Sequence, residues 1–110
     1  MHAIVVTYVT VPQNEAQELA TALVERGHAA CVNIVPSVQS VYRWNNKVEQ
    51  STESLLIIKT QKESFERLRL AVVDLHSYDV PEVISIPVSD GHQPYLEWVC
   101  QSSQPVGEDT

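Results

Sequence analysis

His76-Ser77-Tyr78-Asp79-Val80-Pro81-Glu82-Val83-Ile84-Ser85-Ile86-Pro87-Val88 ends one pattern and begins another. Upstream of it, Phe65, Leu68, Val72 and Leu75 recur at helical spacing and mark the inner face of a helix over 62–75. Downstream, 83–88 is apolar and reads as a strand. The loop between them collects hydrogen-bonding, aromatic and titratable side chains, and such junctions are where a rigid scaffold presents binding groups. The stretch is therefore a helix-to-strand step, and the fold depends on whether the chain takes the same step earlier.

It does. Residues 3–10 are β-branched and aromatic and read as a strand that Pro12 ends. Ala16, Leu19, Ala20, Leu23 and Val24 then form one apolar stripe of a helix over 14–26, with Asn14 and Gln17 spaced as a capping box and Gly27 as its stop. Ala30 to Trp44 is β-rich and bent at Pro36-Ser37, because proline donates no ladder hydrogen bond. Asn45-Asn46 suits a two-residue turn, and Lys47 to Thr60 returns as the partner strand of a long hairpin. Thr60 and Glu63 are spaced as a second capping box, and a short helix over 94–101 carries Pro94 in its first turn. The order β-α-β-β-α-β is an α+β, ferredoxin-like sandwich with a long β2–β3 hairpin and a short C-terminal helix. Residues 1–101 form its single domain; 102–110, with Gly, Pro and acids but no periodicity, read as a flexible tail.

With 110 residues, 44% of them hydrophobic and only three Gly, the chain is of a size and composition to bury one core. A net charge of -7 repels a phosphate backbone and excludes general nucleic-acid binding. No apolar run approaches the roughly 20 residues of a membrane helix, and no basic segment precedes an apolar one as in a secretory signal. A cytoplasmic protein with no membrane partner is the expectation. Cys31 and Cys100 accordingly read as free, buried thiols rather than a disulfide.

Two main helices cover one face of a four-stranded sheet, so the other face of a monomer alternates with polar residues. Here Leu55-Leu56-Ile57-Ile58 and Ile4-Val5-Val6 are apolar on both faces, as is much of 83–86. At roughly 25 cal/mol per Å2, leaving that face in water forfeits several kcal/mol. The short last helix covers part of it; further copies of the chain are the economical way to cover the rest. A homo-oligomer with sheets packed together is expected.

Among the titratable groups, His76 lies at the helix end near Tyr78, Asp79 and Glu82. It reads either as a ligand for a divalent metal or as a cation favoured by the helix C-terminus. No pair of histidines or cysteines has the spacing of a structural zinc site. Glu53 and Lys59 share a strand face at opposite ends of an apolar run, roughly 20 Å apart, where each serves a cleft or simply guards a strand end. Trp44 at the hairpin tip reads as a contact with another subunit rather than a stacking platform. Phosphate-binding, dinucleotide and hydrolase motifs are absent, and no nucleophile–base arrangement marks an enzyme.

Thr10 and Pro12, Ala29-Ala30-Cys31-Val32-Asn33, Tyr42-Arg43-Trp44, Glu53 through Lys59-Thr60, His76, Tyr78, Pro81-Glu82-Val83, Tyr95-Leu96 and Trp98 together resemble the CutA family of divalent-cation-tolerance proteins. The resemblance implies a homotrimer joined through the hairpins, a role in tolerance to copper and other divalent cations, and no established reaction. It also implies a likeness to PII signalling proteins, whose clefts between subunits offer a second reading: a small-molecule sensor or scaffold using Glu53, Lys59, Tyr78 and Glu82. The copper ligands that the family implies are a Cys at the end of the first strand and two adjacent His. Val9, Leu75 and His76 stand in those places here, so His76 alone remains and no more than weak Cu(II) binding, with no required cofactor, is implied.

Overall fold

A computed structural model describes residues 3–106. In chain order it contains β1 (Ile4–Val11), α1 (Ala16–Glu25), β2 (Cys31–Trp44), β3 (Lys47–Gln61), α2 (Phe65–Leu75), β4 (Ile84–Pro87) and α3 (Gln93–Ser102). The strands form one antiparallel sheet in the order β2-β3-β1-β4. Each βαβ unit thus brackets a strand of the other, the split arrangement expected from the sequence.

The helices pack on one face of the sheet because both patterns bury there. Leu19 and Leu23 of α1 and Leu68 and Val72 of α2 meet Val9 and Val11 of β1 and Leu56 and Ile58 of β3. These sheet residues are opposite one another in register, Val9 with Leu56 and Thr7 with Ile58, so one face of two strands is inserted together. On the other face, Ile4, Ala30 and Val99 form a second cluster beneath α3, with Leu96 and Cys100 against it. That helix covers one end only. Val35, Ile84 and Ile86 remain exposed, so the second face is apolar and open in a single subunit.

The hairpin follows its turn chemistry. Asn45 and Asn46 both have positive φ (51° and 63°), as a two-residue turn matched to strand twist requires. The register of β2 against β3 breaks between Val35 and Val38, and Ser37 sits at φ 61° with its backbone N–H donating to Gln13 Oε1 at 2.6 Å. The expected bend at Pro36-Ser37 is therefore a β-bulge.

Three expectations need correction. Neither capping box forms: a 3-10 turn precedes each helix (Gln13–Glu15 and Lys62–Ser64), and no side chain caps either. Thr60 is buried in β3, where its hydroxyl donates to the His28 carbonyl at 2.8 Å instead. Second, the tail does not begin at Ser102. Ser102 is the last residue of α3, and Ser103 is fully buried. Ser103 Oγ accepts the Gln61 N–H and donates to Val99 O, while its carbonyl accepts from Ser64 Oγ at 2.6 Å. The folded unit therefore extends past 101; residues 107–110, and His2 with them, lie outside the described residues. Third, His28 directly follows the Gly27 stop and from the sequence reads as a solvated turn residue, but the fold half-buries it.

Arg67 reaches His28 from α2, its Nη1 donating to His28 Nδ1 at 3.1 Å. Burial, then the charges of Arg67 and Arg26, hold this imidazole below its usual value. Above the unfolded-state value of about 6.5 both folded and unfolded states carry it neutral. As pH falls below that, the unfolded chain takes up the proton first, so stability declines until the folded-state value is passed. Urea midpoints measured from pH 8 to pH 5 are expected to fall across this window. His28→Gln, which keeps an acceptor for Arg67 and cannot titrate, is expected to flatten that part of the profile.

Candidate functional site

β1 ends at Val11, α2 ends at Leu75, and the hairpin arm rises beyond the bulge; the loop from His76 to Glu82 crosses the space between them. The walls of the resulting cleft, about 600 Å3 in volume, come from three places. The hairpin gives Ser40, Val41, Tyr42, Trp44 and Glu53; the loop gives Tyr78, Asp79, Val80 and Glu82; β1 gives Thr10. Pairing explains the hairpin's share. Val38 lies opposite Glu53 and Ser40 opposite Ser51, so alternation carries Ser40 and Tyr42 on the face that carries Glu53.

Glu53 is the cleft's deepest charge, only 6% exposed. Tyr78 donates its hydroxyl to Glu53 Oε2 at 2.8 Å. Although the Tyr78 ring is partly exposed, its polar end is sunk against the carboxylate; burial first, then this hydrogen bond and charge, push its pKa up to about 12. The phenol therefore stays protonated and remains a donor throughout the physiological range. Glu82, at the far rim, accepts a long hydrogen bond from Thr10 Oγ1 at 3.5 Å. No lysine or arginine lines the cleft among the described residues.

His76 stands behind the cleft rather than in it. It is buried at the end of α2, where its backbone N–H closes the helix on Val72 O. The Tyr78 backbone N–H donates to Nδ1 at 3.1 Å, which fixes the proton on Nε2, and Nε2 in turn donates to the Thr10 carbonyl at 2.7 Å. A neutral imidazole has one lone pair, and here it is used. The sequence readings of His76 as a metal ligand or as a helix-terminal cation both give way to a third role: a tie between α2, β1 and the loop. Val9, in another of the three inherited ligand places, is fully buried in the core, and no cluster of three His, Cys, Asp or Glu forms among the described residues. A resident metal centre does not fit. His76→Ala is expected to bind Cu(II) as wild type does in calorimetry. It should lose about 1–3 kcal/mol of stability, because a buried donor and acceptor are left unpaired.

Of the residues expected to form a cleft together, Glu53, Tyr78 and Glu82 do meet, and Trp44, expected as a subunit contact, lies beside them. Lys59 does not: it lies at the other end of β3, opposite Cys31, with its ammonium on Asn33 Oδ1. The lining residues of this cleft all belong to one chain. Thr10, Ser40, Tyr42 and Asp79 were not singled out as its walls from the sequence. The signal for Ser40 and Tyr42 was hairpin alternation, which the bulge offsets by one unpaired stretch; for Thr10 there was none, since only the β1–β3 register brings it near.

Residues 5–102 match the family model described as CutA1 divalent ion tolerance protein. A chloroplastic CutA of Arabidopsis thaliana is 50% identical over 101 residues, covering 91% of this chain and 56% of that protein. The divalent-cation tolerance protein CutA of Thermus thermophilus is 43% identical, covering 89% of this chain and 96% of its relative. Against the two plant relatives, the chain spans little more than half of their length. The crystal structure of CutA1 from Oryza sativa superposes with a TM-score of 0.91 at 44% identity, covering 94% of this chain and 95% of that one. A structure described as the PII-like protein CutA from Nostoc superposes at 0.88 with 29% identity, over 92% and 98% of the two chains. The expected cytoplasmic location does not stand. Two relatives are described as chloroplastic and an Archaeoglobus fulgidus structure, 37% identical, as periplasmic, so this fold is at home in several compartments. No helix among the described residues is long and apolar enough to cross a membrane.

Proposed function

The chain belongs to the CutA1 divalent ion tolerance family, and from that premise we propose that it works as a homotrimeric binding protein rather than an enzyme. Its ligand site in this reading is the cleft of Glu53, Tyr78 and Glu82, with Trp44 at the subunit contact. The observation that carries the site is Glu53. A carboxylate this buried is costly unless a positive charge meets it, and among the described residues its side chain bonds only to a neutral phenol. The missing charge comes from outside the chain.

Support for the assembly is the open apolar face with Val35, Ile84 and Ile86, together with the hairpin tip, where Val41, Trp44 and Val48 are more than half exposed. Light scattering at micromolar concentration is expected to give three times the chain mass; a monomer would end this part of the reading. A divalent ion such as Cu(II) meets carboxylates in this cleft, not His76; Glu53, Asp79 and Glu82 line it without converging as a cluster of three, so they hold the ion weakly. A thermal-shift series with divalent cations and small metabolites tests the site. A ligand of the cleft stabilises wild type by mass action and loses that effect in Glu53→Gln. If every stabilising ligand acts equally on both proteins, the cleft is not the site.

A second reading has one observation in its favour. The superposition on a PII-like CutA and a cleft of drug-like volume suit a small-molecule sensor or scaffold.

A further inference from the structure

We propose that the cleft takes an organic cation, an aliphatic amine or diamine, rather than a bare metal ion or an anion. This inference rests on the cleft being the ligand site and names the chemistry it selects.

Three features of the walls point the same way. The first is charge: Glu53, Asp79 and Glu82 line the cleft with no lysine or arginine among them, and Lys47, opposite Trp44 at the tip, lies outside the lining. An anion would meet uncompensated repulsion there. The second is Glu53 itself. It is more than nine-tenths buried, and one oxygen is held by the Tyr78 hydroxyl. The other has no hydrogen-bond partner among the described residues, and Glu53 lines the cleft. An ammonium offers three donors and a full charge to such an oxygen. The third is the rest of the surface: Tyr42 and Tyr78, apart from Trp44 at the proposed subunit contact, put two partly exposed aromatic rings on the wall. Aromatic faces supply no ligand atom to a divalent metal ion, which asks for several O, N or S donors in a fixed geometry, whereas they attract a weakly hydrated alkylammonium and shelter its methylenes. The volume, about 600 Å3, is far larger than an ion needs and ordinary for a small organic ligand.

Tyr78 sets the specificity in this account. Its raised pKa keeps the phenol a donor to Glu53 Oε2, which holds that side chain in place at the cleft wall and leaves the second oxygen for an incoming donor. Binding should therefore weaken at high salt, as exposed charge attraction is screened, yet retain the part contributed by the aromatic walls.

The test uses the full chain, with 1,4-diaminobutane, n-butylamine, CuCl2 and sodium succinate as probes in calorimetry, and Trp fluorescence as a second readout. The expected result is saturable binding of the diamine, weaker binding of the monoamine and none of succinate. The diamine affinity should drop at least tenfold in Glu53→Gln and severalfold in Glu82→Gln. Glu82 is exposed, so its variant folds even if the Glu53 variant does not. Glu53-dependent or Glu82-dependent binding of Cu(II) or succinate without amine binding would overturn the organic-cation assignment and leave the cleft a ligand site. Amine binding that neither substitution weakens would overturn it as well, placing the amine elsewhere on an acidic surface. If no probe or metabolite shows dependence on either carboxylate, the reading of the cleft itself fails with it.

Discussion

Leu56→Ala is expected to remove about 2–5 kcal/mol from the free energy of unfolding, measured by urea denaturation at fixed chain concentration. Leu56 is fully buried at the centre of β3, opposite Val9 of β1 on one side and Ile34 of β2 on the other. Both helices lean on the cluster it belongs to, so neither neighbouring strand nor helix can move into the void without losing contacts of its own. The adjacent Ile57 provides the contrast. It points to the open face, opposite Tyr8 and Asn33, and is only partly buried in one subunit. Ile57→Ala should cost less in a dissociated chain, and its cost should grow with chain concentration if other copies cover that face. The loss at Leu56 should be the same at every concentration. Equal concentration dependence for both would mean that the two faces of β3 are not divided as described.

Gly27→Val carries the other large effect, about 3 kcal/mol, from two separable causes. Gly27 sits at φ 76°, where any side chain costs about 1–2 kcal/mol and a β-branched one more. In addition, a Cβ there would lie 2.1 Å from the Gln104 carbonyl oxygen and 2.7 Å from Val106 Cγ2. A backbone oxygen cannot rotate away, so the segment after α3 must lift off, straining the bonds of Ser103 to Gln61 and Ser64. A chain ending at Ser103 separates the causes. In that background the substitution should retain the backbone cost and lose the collision, so its effect should fall by about half. An undiminished effect would show that the collision contributes nothing.

What the sequence made legible was whatever depends on local rules. Gly27, Asn45 and Asn46 take the positive φ their types favour, and Leu55-Leu56-Ile57-Ile58 announced a strand apolar on both faces. The capping boxes failed for a physical reason. Thr60 had two uses for one hydroxyl, and the buried His28 carbonyl offered the stronger claim. The tail failed because periodicity ends at α3 while packing does not: Ser103 is fixed by hydrogen bonds to residues some forty positions earlier, which no window of sequence contains. The site divides the same way. Tyr78 and Glu82 were visible as a cluster because they are neighbours in sequence. The bond from Tyr78 to Glu53 spans 25 residues and that from His76 to Thr10 spans 66, and these decide which groups face the cleft and which serve the scaffold.

The bulge at Pro36-Ser37 has a consequence for unwanted association. β2 is an outer strand of fourteen residues, a length that invites indiscriminate strand addition. Proline withholds a donor, and Ser37 turns its own N–H away to Gln13, so no incoming strand can hydrogen-bond in step across the break. The outer edge is thereby split into two short docking lengths that differ in direction. A copy arriving in fibril-like register finds only one of them, whereas a partner built to bend with the arm finds both. The kink acts as a filter on company, discouraging endless stacking along this edge.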